Sequence, residues 1–187
     1  MNLKEANNLE LIDLIRKGDQ SAFRELFDRF YQLLLAVAIN LLGDLNQAKD
    51  VVQEVFINIW NKRESINIHS AVEPFLKRSV INRSLNRIKA RKHTVPEDTL
   101  ASTPYQDRGH QKLEAQDLEN IIQSALNSLP ERCRTIFILK RIEGMTLKEI
   151  AQQLDISTKT VENQITKALK VLKEAVQPYL ENEKEEI

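Results

Sequence analysis

A run of basic and amide side chains between residues 77 and 92 is the part of the sequence best suited to hold a nucleic-acid strand. Seven basic residues and no acidic one lie in this run, and Asn82 and Asn86 share a helix face because they are four positions apart. Cations neutralise phosphates, and amides form hydrogen bonds with base edges. A solvated basic helix is the alternative, but the excess of cations favours binding. The residues predicted to bind a strand are Lys77, Arg78, Asn82, Arg83, Asn86, Arg87 and Lys89.

Residues 146–172 have the layout of a helix-turn-helix, with a short helix, a turn and a longer second helix. Ile150, Leu154 and Val161 would fill the space between the helices, and Asp155 occupies the turn position where glycine is usual. The face left outside has side chains that read the base edges of a duplex and contact its phosphates. An ordinary helical hairpin with a solvated face is the alternative. The residues on this face are Thr158, Lys159, Glu162, Asn163, Thr166 and Lys167.

A third polar surface follows from the sequence DVVQEVFINIW at residues 50–60. If its valines, Phe56 and Ile59 turn inward at helical spacing, Asp50, Gln53 and Glu54 remain outside. An acidic face repels DNA, so a functional partner of this surface would be a protein. From the residues alone, an ordinary solvated face is the favoured interpretation.

The sequence contains no constellation typical of an enzyme or a metal site. His69, His93 and His110 are widely spaced, whereas a metal site needs clustered ligands. The motifs of phosphate-binding loops, nucleophile elbows and zinc-protease helices are missing. Cys133 is the single cysteine and lies in an apolar helix pattern, so it is expected to be a small core residue. We therefore expect a protein that is not an enzyme and needs neither a metal nor a cofactor.

Composition and charge indicate a soluble cytoplasmic protein. The 187 residues include 27 basic and 27 acidic ones, so the net charge is zero. The longest apolar run, residues 33–39, is far shorter than the roughly 20 residues of a membrane span. The N-terminus lacks the layout of a secretory signal. We expect no direct insertion into a membrane.

The periodicity of apolar residues predicts an all-α fold with two small helical domains. Residues 93–115 carry two prolines and a glycine and have no helical period, which is typical of a flexible linker. The expected domains are therefore residues 1–92 and 118–187, joined by a linker at 93–117. Residues 1–92 hold 15 basic and 11 acidic residues, and residues 119–180 hold 9 and 7, so two mildly basic domains are offset by an acidic linker and tail.

Capping residues predict where several of the helices begin and end. Asp19, Asp44 and Ser157 can each accept hydrogen bonds from the first turn of a helix. Reciprocal capping boxes are predicted at Ser70–Glu73, Ser128–Glu131 and Thr146–Glu149. The last helix is expected to run from Ser157 to Pro178.

These stretches in order resemble a sigma factor of bacterial RNA polymerase, of the small extracytoplasmic-function (ECF) subfamily. DVVQEVFINIW at 50–60 resembles the core-polymerase-binding helix, and KRSVINRSLNRIK at 77–89 resembles the helix that reads the −10 element. The sequence from 129 to 172 resembles the domain that reads the −35 element. Within it, KTVENQITKAL is similar to the corresponding stretch in the branch of the family that is expanded in Bacteroides-type bacteria.

The resemblance implies sigma region 2 in the first domain, region 4 in the second, and a role in promoter-specific transcription initiation. Its implied partners are core RNA polymerase, promoter DNA and an anti-sigma factor. Asn82 would help to hold a base flipped from the −10 strand, and Phe75 would also belong to the −10-binding residues, although many relatives have tryptophan at its position. Glu162 stands where many relatives have arginine. A free-standing LuxR-like regulator, which binds duplex DNA without polymerase, is the alternative. The implied core-binding residues are Asp50, Gln53, Glu54, Phe56 and Trp60, with the polar three in direct contact.

Overall fold

A computed structural model describes residues 3–68, 71–92 and 113–185, and every regular element in these ranges is a helix. The all-α prediction is therefore confirmed. The chain divides into two compact units, Met1–Tyr105 and Gln106–Ile187. The predicted linker residues 93–112 lie outside the described ranges, and α5 begins five residues before the expected domain boundary. The helices are α1 (Asn8–Arg16), α2 (Gln20–Leu42), α3 (Leu45–Asn61), α4 (Val72–Lys92), α5 (Leu113–Ser128), α6 (Glu131–Arg141), α7 (Leu147–Leu154) and α8 (Thr158–Glu185), with a short 3-10 turn at Arg63–Ser65.

Side-chain caps fix the starts of the first three helices. The Asp19 carboxylate accepts from the backbone N–H groups of Ser21 and Ala22, and Asp44 accepts from that of Gln47, as predicted. A capping box that the sequence analysis did not identify joins Asn7 and Glu10 at the start of α1. Ser70, the expected cap of α4, lies outside the described residues.

In the first unit, α2 packs against α1, α3 and α4. Its core is made of the apolar stripes of these helices, including the fully buried Leu11, Leu26, Val51 and Leu76. Burying a side chain of this size contributes about 1.5–3 kcal/mol relative to leaving it in water. The unit is thus held by the faces that apolar periodicity indicated, and the polar faces of α3 and α4 remain outside.

In the second unit, α8 packs against α5, α6 and α7. The capping box of Thr146 and Glu149 is present at the start of α7, and the Ser157 hydroxyl accepts from the N–H of Thr160 at 3.0 Å. Asp155 ends α7 in the left-handed region, with φ 54° and ψ 54°. It is the one non-glycine residue with positive φ among the described residues, so the predicted helix-turn-helix geometry is built on an aspartate.

Two expectations about helix ends were wrong. The Ser128 hydroxyl donates to the carbonyl of Ala125, at the end of α5; it does not cap α6, whose N-cap is Pro130. Ser128 and Glu131 have the three-residue spacing of a capping box, but Ser128 is still the last residue of α5. Helix α8 also continues through Pro178 to Glu185. The fixed proline φ of about −65° is compatible with a helix, although the proline lacks one backbone donor and its ring crowds the preceding turn.

Cys133 is a buried core residue, in agreement with the sequence. Its side chain packs with Leu126, Leu129 and Ala168, and its thiol donates to the Gln164 carbonyl at 3.3 Å. Burial raises the pKa of the thiol, against the opposing effect of the Lys167 charge.

In the described part of the chain, none of the helices has the length and apolar character needed to cross a membrane.

Candidate nucleic-acid interface

Ion pairs between α3 and α4 join two residue sets that the sequence analysis treated as separate surfaces. The Arg87 guanidinium lies 2.6 Å from a Glu54 oxygen and 3.4 Å from an Asp50 oxygen. Arg83 lies 3.3 Å from the other Glu54 oxygen, and one turn further along α4 Arg91 donates to the Gln47 side chain. The predicted protein-binding carboxylates therefore neutralise two of the predicted strand-binding arginines.

A cavity of about 320 Å³ lies between α3 and α4, next to these ion pairs. Asn82 and Asn86 line one side of it, together with Phe75, and Ile66 lines it from the segment that follows the 3-10 turn. Asn82 is half-buried, whereas Asn86 is exposed. The two amides therefore share a helix face, as predicted, and both line the same concave surface.

Of the other predicted strand-binding residues of α4, Phe75 and Arg83 line this cavity and the rest do not. Phe75 is 38% exposed, although most aromatic side chains of this unit are covered. Lys77 forms an ion pair with Glu73 at 3.0 Å, and Arg78 and Lys89 are exposed. At the cavity, the helix therefore presents Phe75, the two amides and Arg83, and it carries further cations on other parts of its surface.

On α3, the predicted core-binding residues divide into buried aromatic residues and exposed polar ones. Phe56 is only 2% exposed and contacts the Phe23 ring edge-on, with 6.0 Å between centroids. Trp60 is half-buried and packs against the same Phe23 ring. The Arg63 guanidinium lies over the Trp60 ring, with its central carbon 4.8 Å from the ring centroid. These two aromatic residues hold α3 on α2, and they leave the outer face to Asp50, Gln53 and Glu54.

The outer face of α3 also carries an apolar residue that was not predicted. Ile57 is 58% exposed, three residues after Glu54 and four after Gln53, so the three share a helix face. The same spacing rule applied to the polar residues would have found it. The cavity residues Ile66 and Ser79 were also missed, and for Ile66 no local pattern signals a role because its position depends on tertiary packing.

In the second unit, all six predicted duplex-reading residues lie exposed on one helix. Lys159 and Glu162 form an ion pair at 3.5 Å, with 78% and 48% of their side chains exposed. The Thr166 hydroxyl donates to the Glu162 carbonyl at 3.0 Å, which leaves its lone pairs open to a donor. Buried Val161 and Ala168 hold the opposite face of α8 against the unit and aim this face outward. The six residues are Thr158, Lys159, Glu162, Asn163, Thr166 and Lys167.

Comparison with known proteins assigns both units. The sequence model of Sigma-70 region 2 matches residues 26–94, and that of Sigma-70 region 4 matches residues 119–172. Together they cover more than half of the chain. The ECF RNA polymerase sigma-E factor of Haemophilus influenzae is 29% identical over 181 residues, which are 91% of this chain and 95% of that protein. The ECF RNA polymerase sigma factor SigW of Bacillus subtilis is 28% identical over 173 residues, 87% and 92% of the two chains.

Solved structures share the fold. The sigma factor RpoE of Bartonella quintana, in complex with the anti-sigma factor NepR, aligns with a TM-score of 0.58 and 22% identity, over 83% of this chain and 96% of that one. CnrH, in complex with the cytosolic domain of CnrY, aligns with a TM-score of 0.54 and 24% identity, over 90% and 96%. With one region model on each unit and full-length ECF relatives, the chain belongs to the sigma-70 family, as an ECF sigma factor that directs transcription initiation by RNA polymerase.

Proposed function

We propose that the cavity between α3 and α4 captures one unstacked base of the −10 element. The observation that carries this proposal is the lining of the cavity by Asn82 and Asn86, together with Arg83. A base taken out of the stack is read by hydrogen bonds to its edge inside a pocket. A side-chain amide has two donor hydrogens and an acceptor oxygen, so one contact within the protein leaves others for a base. Phe75 offers a ring on which a base can stack.

The outer face of α3 is the proposed site for core RNA polymerase. Asp50, Gln53 and Glu54 supply polar contacts, and Ile57 places an apolar side chain among them. Phe56 and Trp60 act as the support that fixes α3 on α2. A partially apolar, carboxylate-rimmed face fits a basic protein surface better than it fits DNA, since phosphates repel carboxylates.

The exposed face of α8 is proposed to read the −35 element as a duplex. The N-terminal half of a second helix enters the major groove in helix-turn-helix proteins, and Lys159, Asn163 and Lys167 lie on that half. The Glu162 carboxylate is proposed to accept a hydrogen bond from the exocyclic amine of a cytosine, which is the base contact that carboxylates prefer. The proposed domains are region 2 at 1–92, a linker at 93–117 and region 4 at 118–187.

The wider biological setting is also proposed. Because both RpoE and CnrH are structurally similar to this chain and their solved structures are complexes with NepR and with the cytosolic domain of CnrY, an anti-sigma factor is the expected regulator. The sigma-70 family resemblance supports a protein without catalytic activity that works in the cytoplasm, where polymerase meets the chromosome. The sequence KTVENQITKAL supports a place in the branch expanded in Bacteroides-type bacteria.

Base capture is tested by selecting strands on the reconstituted holoenzyme. Wild type and Asn82→Ala are each bound to a pool of short single-stranded DNAs randomised over the −10 element, and the retained strands are sequenced. We expect the variant to lose about tenfold of its preference at one position, since a good amide–base pair contributes about 1–3 kcal/mol of discrimination. Asn40→Ala removes an exposed amide outside the cavity and serves as the control. An unchanged profile in Asn82→Ala would contradict base capture.

Polymerase binding is tested by titrating the purified protein against core enzyme. Asp50→Ala/Glu54→Ala is expected to weaken binding about tenfold or more, which is roughly 1.4 kcal/mol. Because these carboxylates also hold Arg83 and Arg87, the variant Arg87→Gln is measured in parallel; it should leave the affinity within about threefold. Asp28→Ala/Glu64→Ala removes two exposed carboxylates elsewhere and should have no effect. Equal losses in all three variants would show that α3 makes no specific contact.

The alternative of a free-standing LuxR-like regulator makes a different prediction for the same protein. Such a regulator binds its duplex site without polymerase, usually as a dimer on a two-fold site. The matches to regions 2 and 4 favour the sigma factor. A duplex-binding assay with and without core enzyme separates the two, because the sigma factor should select its promoter only when polymerase is present.

A further inference from the structure

One wall of the proposed base cavity is carried by a segment without helical hydrogen bonds. Ile66 lines the cavity and directly follows the 3-10 turn at Arg63–Ser65, with extended backbone angles of φ −65° and ψ 122°. A residue in such a segment needs an anchor from elsewhere if its side chain is to keep a fixed position. Ile68, two residues later, is buried and fixes one side of the segment.

Arg16 supplies an anchor on Ile66 itself. Its Nε donates to the Ile66 carbonyl at 3.1 Å, and a terminal nitrogen of the same guanidinium donates to the same oxygen at 2.8 Å. The other terminal nitrogen donates to the Asp13 carboxylate at 2.8 Å. The guanidinium is thus held by α1 on one side and binds the cavity wall on the other, 50 residues away in sequence.

Arg16 belongs to a helix that is well packed in the core, so its own position is fixed. Arg16 lies in the last turn of α1, whose Leu11, Ile12 and Ile15 are at most 2% exposed, and α1 contacts the 3-10 turn. Arg16 itself does not line the cavity. Its planar fork gives two donors to one acceptor in a single orientation, which a lysine ammonium does not reproduce.

We infer that Arg16 is a positioning residue for base selection: by holding the Ile66 carbonyl, it sets the shape of the cavity wall against which a captured −10 base packs. This inference rests on the proposed base capture. It implies that a residue of α1, which touches neither the strand nor the cavity, contributes to the choice of base. Loss of the anchor should loosen the wall and broaden the choice at that one position.

The first test measures the wall directly, without DNA. Amide hydrogen exchange of the full chain is followed in the peptide that contains residues 63–68, for wild type, Arg16→Gln, Arg16→Lys and Asp13→Asn. We expect exchange there to accelerate about tenfold or more in Arg16→Gln and less in Arg16→Lys. Asp13→Asn keeps both bonds to Ile66 and should exchange like wild type. Equal protection of this peptide in wild type and Arg16→Gln would overturn the inference, whatever the DNA results show.

The second test uses strand selection by the holoenzyme, with Asn82→Ala alongside. Arg16→Gln should reduce the preference at the position that responds to Asn82→Ala by about threefold or more, with the other positions and the affinity for core enzyme unchanged; Arg16→Lys should give a smaller reduction. If Asn82→Ala relaxes one position and Arg16→Gln relaxes none, the inference fails while base capture stands. If Asn82→Ala changes nothing, base capture fails. A uniform loss at all positions together with weaker core binding in Arg16→Gln and Arg16→Lys would reveal a merely structural role and also overturn the inference.

Discussion

At the scale of single residues, the pairing of α4 arginines with α3 carboxylates is the feature that most changes the interpretation of the sequence. Arg87 was predicted to bind DNA and Glu54 to bind polymerase, yet the two side chains are 2.6 Å apart. Both are partly open to solvent, with 29% and 40% of their side chains exposed. Each proposed contact with a partner therefore competes with an existing contact inside the unit.

The strength of this pairing can be measured with a double-mutant cycle. Glu54→Ala, Arg87→Ala and the double variant are unfolded with urea, and the coupling free energy is taken from the four midpoints. We expect about 0.5–1 kcal/mol, because the pair is short but only half-buried. The pair Lys170–Glu174, at 3.9 Å with 77% and 63% of the side chains exposed, is the matched control and should give less than about 0.5 kcal/mol. Equal coupling in both pairs would mean that the short α3–α4 contact has no special strength.

At the scale of elements, the helix-turn-helix depends on a residue in an unfavourable conformation. Asp155 ends α7 with φ 54°, and the next N–H, of Ile156, donates to the Ala151 carbonyl at 3.0 Å. This geometry is the usual end of a helix at glycine. An L-residue there has a higher backbone energy than glycine, although aspartate tolerates the region better than most.

Substitutions at position 155 should therefore change the stability of the second unit in opposite directions. We expect Asp155→Gly to raise its free energy of unfolding by up to about 1 kcal/mol, and Asp155→Val to lower it by more than about 1 kcal/mol, because a branched side chain crowds the left-handed backbone. Thermal unfolding followed by circular dichroism reports both. If Asp155→Val is as stable as wild type, the positive φ does not persist in solution.

The elements themselves were largely predictable, whereas contacts between them were not. Apolar spacing identified the buried faces of α2, α3 and α4, and local chemistry identified the caps at Asp19 and Asp44. The end of α5 at Ser128 and the continuation of α8 past Pro178 were missed, because serine and proline are typical of helix ends but do not exclude a helix at their own positions. The α3–α4 ion pairs and the position of Ile66 in the cavity wall depend on how the helices pack against one another. The spacing of residues along the sequence does not specify this packing.

At the scale of the whole molecule, the distribution of charge predicts that DNA binding is weak until polymerase assists it. The chain has no net charge, yet residues 1–92 and 119–180 are each mildly basic, whereas the residues between them and the C-terminal tail are acidic. Residues 93–118 hold two basic and five acidic residues. Counterion release, which drives non-specific binding to DNA, is reduced when nearby carboxylates oppose the phosphates.

Neutralising the acidic segment should therefore strengthen non-specific binding. For Glu97→Gln/Asp98→Asn/Asp107→Asn, we expect about three- to tenfold tighter binding to random duplex DNA at 50 mM salt, and little difference at 500 mM, where screening is strong. Fluorescence anisotropy at both salt concentrations measures this. Ser102→Ala/Thr103→Ala/Gln106→Ala changes the same segment without changing its charge and should bind like wild type. A similar gain in that control would show that charge is not the cause.

The ion pairs between α3 and α4 also constrain how such a protein can diverge. On the proposed roles, a descendant that acquires a new promoter preference by replacing Arg87 would leave Asp50 without this partner and Glu54 with Arg83 alone, on the surface that faces polymerase. That single change would shift polymerase affinity only slightly, whereas replacing both Arg83 and Arg87 would remove every one of these contacts. Lineages that change both arginines would then be expected to carry accompanying substitutions on α3.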